Sequence, residues 1–167
     1  SLSTNDCQLA GGQFIEFSST ASMRVTADQP IAVAQFFAGQ GDTQGLPTDP
    51  SQGDPSFVLL PPSEQWRSSY TVLAAPGIKD NYLGLAIDST KVASVDVDGT
   101  AVTGFTAIAG TTFQVKNHPV TVGTHTISVT AKPQQAPGAG VTVYGYDSYV
   151  SYGYTGGLDL GTIVTGI

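Results

Sequence analysis

Apolar and polar residues alternate with a period of two along most of this chain, and no stretch repeats its apolar positions at the spacing of a helix. The clearest alternation lies at residues 140–157. There Val141, Val143 and Gly145 fall on one face of an extended strand while Thr142, Tyr144 and Tyr146 fall on the other. Asp147-Ser148 offers a turn before residues 149–154 continue, so the stretch predicts a hairpin or two consecutive strands. Residues 123–129 set Thr124, Thr126 and Ser128 against His125, Ile127 and Val129. Residues 31–37, opened by Pro30, are apolar on both faces and predict a central strand packed on two sides.

Shorter runs complete the pattern. Residues 13–17 and 21–26 predict a hairpin around the polar spacer 18–20, and residues 56–60, 69–74, 81–87 and 92–97 predict further strands. Pro61-Pro62 and Pro76-Gly77 stop two of them. Asp98-Gly99 is the strongest hairpin signal, because both residues tolerate the positive φ of a type I′ turn; 101–103 is the expected return strand. Residues 105–108 and 112–116 flank a turn at Ala109-Gly110, and 132–140 reads as a Pro-Gly loop. Residues 39–55, dense in Gly, Pro and Asp, predict a long exposed loop, either mobile or ligand-binding. About a dozen short strands at roughly ten-residue spacing predict an all-β fold, an antiparallel β-sandwich with little or no helix, for which a jelly roll is one arrangement.

Length and charge narrow the picture. A chain of 167 residues is expected to form one β-sandwich domain over 1–167, with 1–10 and 158–167 as candidate linkers to flanking domains. Charged residues make up only 11%, in keeping with an extracellular module. Lys and Arg total 6 against 13 Asp and Glu, a balance that opposes nucleic acid and anionic lipid. No apolar run is long enough to span a membrane and no basic-then-apolar leader occurs, so no membrane insertion is expected; a start at Ser1 without Met is expected of a piece of a longer protein. Cys7, the single cysteine, is either a small buried hydrophobe or half of a disulfide to a segment upstream.

Candidate chemistry is sparse. His118 and His125 are the two histidines and lack metal-ligand spacing; His125, beside a glycine turn, is expected to pack with a ring nitrogen bonded to backbone. Neither Gly-x-Ser-x-Gly nor Ser-x-x-Lys occurs, and the only glutamates are Glu16 and Glu64. Hence no catalytic residue, metal site or cofactor is expected, and a hydrolase would need His118 or His125 beside a carboxylate in a pocket. Asp96 and Asp98 lack the downstream ligands of a calcium loop; Asp42, Asp49 and Asp54 are a looser candidate set. Lysines 79, 91, 116 and 132 with Asn81 or Asn117 lack a carboxylate placed for an isopeptide bond. The tyrosines carry the larger hypothesis, because a flat apolar ring with a polar tip suits sugar stacking and protein recognition as well as a sandwich corner. Trp66, Tyr144, Tyr146, Tyr149, Tyr152 and Tyr154 are therefore the candidate ligand-binding residues.

Asp54-Pro55-Ser56-Phe57-Val58-Leu59-Leu60-Pro61-Pro62, Ser68-Ser69-Tyr70-Thr71-Val72, Asn81-Tyr82-Leu83, Gly123-Thr124-His125-Thr126-Ile127, Val143-Tyr144-Gly145-Tyr146 and Tyr152-Gly153-Tyr154 together resemble the N-terminal domain of the IgGFc-binding protein family, over about residues 11–157. The resemblance implies a domain of large secreted or surface proteins, here a bacterial member, with a binding role and no enzymatic one. It fixes no ligand residue. It also favours a partner for Cys7 upstream of Ser1. Gly53-Asp54-Pro55-Ser56 resembles the Gly-Asp-Pro-His self-cleavage motif of von Willebrand type D domains, but Ser56 replaces the histidine, and the segment reads as a turn before a strand. The expected function is non-catalytic recognition or adhesion toward a glycan or protein at a cell surface, with an extracellular location. The alternative is a structural spacer or assembly domain. The oligomeric state does not follow from the sequence.

Overall fold

The computed structural model describes residues 8–37, 39 and 53–160. Cys7, Asp42, Asp49 and most of the predicted 39–55 loop lie outside them. In chain order the strands are β1 (Val33–Phe37), β2 (Ser56–Leu60), β3 (Ser69–Ala74), β4 (Asp80–Asp88), β5 (Val92–Val97), β6 (Thr100–Ala101), β7 (Thr106–Ala107), β8 (Phe113–Val120), β9 (Gly123–Ala131), β10 (Ala139–Asp147) and β11 (Val150–Thr155). One short 3-10 turn covers Ser63–Gln65.

Two antiparallel sheets form the sandwich, one ordered β11-β10-β4-β8-β7 and the other β3-β9-β5-β6. Period-two alternation decides which side chains meet between them. Leu83, Leu85 and Ile87 of β4, with Val141 and Val143 of β10, face Tyr70 and Val72 of β3, Val95 and Val97 of β5, and Ile127 and Val129 of β9. Leu83 and Val143 are fully buried. Each such side chain contributes roughly 1.5–3 kcal/mol by leaving water.

Asp98 and Gly99 adopt φ of 51° and 76°, as the type I′ turn between β5 and β6 requires. The return strand is shorter than expected, because only Thr100 and Ala101 pair. β1 and β2 form a separate two-stranded hairpin. This corrects the expectation of a central strand at 31–37: one face of β1 packs on the sandwich through Phe37, and the other is open. Residues 13–17 and 21–26 form no strands and are exposed. Their apolar residues find no partner strand among the described residues, and an isolated hairpin is marginal in water.

Candidate functional site

Aromatic rings gather on the face of the five-stranded sheet turned away from the core. β10 places Tyr144 opposite Tyr82 of β4, and their rings stack at 5.4 Å between centroids. Tyr146 meets Tyr144 edge-on at 5.9 Å. The hairpin β1–β2 closes over this pair with Phe37, 5.5 Å from Tyr144 and 6.0 Å from Tyr146. Gly153 of β11 makes that closure possible, since a Cβ there would stand 2.5 Å from the Phe37 ring. Burial, reinforced by the neighbouring tyrosines, pushes the Tyr144 phenol well above its ordinary value, and burial also pushes Tyr146 up.

Trp66 lies farther along the same face, over Gly140, whose Cβ would come within 2.8 Å of the indole. It meets Phe113 edge-on at 5.8 Å, and the Arg24 guanidinium sits 5.1 Å above the Phe113 ring.

Tyr152 and Tyr154 turn to the opposite face, as alternation predicts. Tyr154 Oη accepts from the Leu73 N–H at 2.9 Å and donates to the Leu73 carbonyl at 2.8 Å. Tyr152 Oη accepts from the Ala75 N–H at 3.1 Å and donates to Asn81 Oδ1 at 2.6 Å. These two phenols clasp the edge of β3 to β11 across the sandwich. Asn81 is committed at both ends of its amide, because Nδ2 donates to the Ile78 carbonyl at 2.9 Å. Tyr149 differs from the other four. It occupies the β10–β11 turn at φ 55° and is 70% exposed.

The six candidates are thus divided. Tyr144, Tyr146 and Trp66 share the outer sheet face, Tyr152 and Tyr154 share the inner one, and Tyr149 stands at a turn tip. Sequence reasoning did not single out Phe36, Phe57 and Leu59. They project from the outward face of the β1–β2 hairpin, 68%, 57% and 57% exposed. Phe36 and Phe57 pair across the strands with ring centroids 5.7 Å apart. The signal that could have found them is the apolar character of β1 on both faces, which fits a strand with one packed face and one offered face as well as a central strand. Backbone and hydroxyl contacts anchor the hairpin beside Tyr149: the Gly53 N–H donates to the Asp147 carbonyl at 3.0 Å, Ser151 Oγ donates to the Asp54 carbonyl, and Ser56 Oγ lies 3.3 Å from Ser151 Oγ. The Gly-Asp-Pro-Ser segment is thus an irregular lead into β2, with no turn at residues 53–55.

His125 does lie beside a carboxylate. Its Nδ1 is 2.6 Å from Asp98 Oδ2 and its Nε2 is 2.7 Å from the Thr121 carbonyl. Both partners accept, so the imidazolium is the form that satisfies both. Burial pushes His125 toward neutrality, but these hydrogen bonds and the Asp98 charge outweigh it and hold the pKa above its ordinary value. With both nitrogens committed, neither is placed to take a proton from a nucleophile. Among the described residues no group of three His, Cys, Asp or Glu side chains comes together, and no helix is long and apolar enough to cross a membrane.

We find no match to this chain among curated proteins or among solved structures. The family model described as IgGFc binding protein matches residues 2–145, and with most of its length and its strands β1 to β9 inside that match, the chain belongs to the IgGFc binding protein family.

Proposed function

We propose that this chain is a non-catalytic, extracellular recognition module, and that it engages a protein ligand through the outward face of the β1–β2 hairpin. The observation that carries this reading is the exposed apolar group of Phe36, Phe57 and Leu59 on one face of the hairpin. Large exposed aromatic and aliphatic side chains held together on one rigid face are the usual anchors of a protein interface. A glycan platform is less well supported. Phe37 packs against Tyr144 and Tyr146, and the hydroxyls of Tyr152 and Tyr154 are bonded to backbone at Ala75 and Leu73, at the end of β3, so these four rings are partly covered.

The family description names the Fc part of immunoglobulin G, which makes Fc the first protein to try. Titration of the domain with Fc should give saturable binding, weakened about tenfold or more by Phe57→Ser, since interface aromatics commonly contribute over about 1.4 kcal/mol each. Binding by glycans alone, or unchanged Fc binding by the variant, would refute the reading.

A second reading, an assembly or spacer domain with linkers at 1–10 and 158–167, draws support from residues 8–32. Phe14, Ile15 and Phe17 are 81%, 51% and 45% exposed there and would be covered by a neighbouring domain or chain. Sedimentation at rising concentration should then show association that Phe14→Ser weakens.

A further inference from the structure

β3 is an outer strand of its sheet, and part of its edge opens onto a cleft. The Ser68 carbonyl accepts from the Val129 N–H at 2.8 Å, so the alternation of an antiparallel ladder turns the N–H and C=O groups of residues 69, 71 and 73 away from β9. Those of Leu73 are taken by Tyr154 Oη. Those of Ser69 and Thr71 face a shallow cleft of about 320 Å³ lined by Arg67, Ser69, Tyr70, Thr71 and Gly156. The far wall carries no side chains at Gly156 and Gly157, and a Cβ on Gly157 would lie 3.9 Å from Arg67 Nη1 and from the Tyr70 ring.

Arg67 has a rigid root. Its N–H donates to Tyr70 Oη at 2.7 Å, its carbonyl accepts from the Ala139 N–H at 3.1 Å, and Tyr70 Oη donates to the Ala139 carbonyl. Among the described residues no carboxylate comes within ion-pair distance of its guanidinium. An unpaired guanidinium is conspicuous in a chain of net charge −7, and it favours an oxyanion with planar, two-point geometry.

We propose that this cleft binds the C-terminal end of an extended peptide, which adds antiparallel to the edge of β3. Two features make the fit directional. Among the described residues the outward backbone groups of Ser69 and Thr71 have no partner, and they offer strand pairing. In an antiparallel arrangement the peptide ends beside the start of β3, where Arg67 stands to receive its terminal carboxylate. Tyr154 on Leu73 limits the paired stretch to these two residues.

The test uses the whole chain, a pool of N-acetylated tetrapeptides with free C-terminal carboxylates, the same pool amidated, and glucuronate. Amide resonances of Ser69 and Thr71 should move with the carboxylate pool, with binding about tenfold weaker for the amidated pool, as expected on losing one charge-assisted hydrogen bond. Arg67→Gln should bring the carboxylate pool down to the amidated level, leave the amidated pool unchanged, and leave the melting temperature unchanged because the side chain is exposed. Equal binding of the two pools, an undiminished preference in Arg67→Gln, no shift at Ser69 and Thr71, or a response to glucuronate without one to peptides would each overturn the proposal. Because the hairpin β1–β2 contributes nothing to this cleft, these results stand apart from those with Fc.

Discussion

At the scale of single residues, tyrosine hydroxyls tie β11 to the end of β3, and one imidazole holds the β5–β6 turn. Tyr154→Phe keeps the ring and removes both hydrogen bonds to Leu73. We expect a loss of about 1–2 kcal/mol, which for a domain of this size is roughly 2–8 °C in melting temperature. His125 gives the pH dependence. Its raised pKa means that its stabilisation is fully present below the unfolded value of about 6.5 and is lost as pH rises through the folded value. Asp98 contributes in the opposite sense. The His125 hydrogen bond and the Thr126 N–H hold its pKa low, so its share is lost as pH falls through that lowered value. His118, lowered by burial and by Lys116, opposes His125 in the neutral range. The measurement is therefore the difference in melting temperature between the wild type and His125→Gln, which leaves His118 in both. It should widen as pH falls from about 8 to about 6; a constant or narrowing gap would contradict the assignment. Alternation along β11 was enough to place Tyr152 and Tyr154 on the face opposite Tyr144. Their hydroxyl partner strand was not legible, because Leu73 lies 81 residues from Tyr154 in the chain and no local pattern encodes that distance.

At the scale of elements, the hairpin β1–β2 depends on one missing side chain. Gly153→Val would drive a Cβ to 2.5 Å from the Phe37 ring, and overpacking of this kind costs about 1–3 kcal/mol. Amide exchange should quicken in Val33–Phe37 and Ser56–Leu60 while Asp80–Asp88 stays protected; uniform change across both would mean that the hairpin is not a separate layer. Strands whose two faces differ, such as β9, were readable from alternation, and Asp98-Gly99 marked its turn through backbone preference alone. β1 was not readable in the same way. An apolar residue at every other position tells that a face is apolar, but not whether protein or solvent lies against it. The hairpin expected at 13–26 failed for a related reason: local propensity allows strands, and tertiary partners decide whether they form.

At the scale of the whole molecule, Tyr152 and Tyr154 turn inward, Tyr144 and Tyr146 lie beneath Phe37, and the β1–β2 hairpin offers an exposed apolar face. The architecture was legible because turn residues punctuate short alternating runs throughout the chain. The exposed apolar face of the hairpin was less so, because Phe36, Phe57 and Leu59 look like core residues in sequence. Net charge −7 keeps such a molecule in solution while it carries an open apolar face. The central claim is that this face is the place of recognition. Its most direct test is a titration of Fc against the wild type and a Phe36→Ser, Phe57→Ser double variant with matched melting temperature. The account predicts saturable binding by the wild type and a loss of about a hundredfold in the variant, corresponding to about 2.7 kcal/mol for two interface aromatics. No binding by the wild type, or equal binding by both, would contradict it.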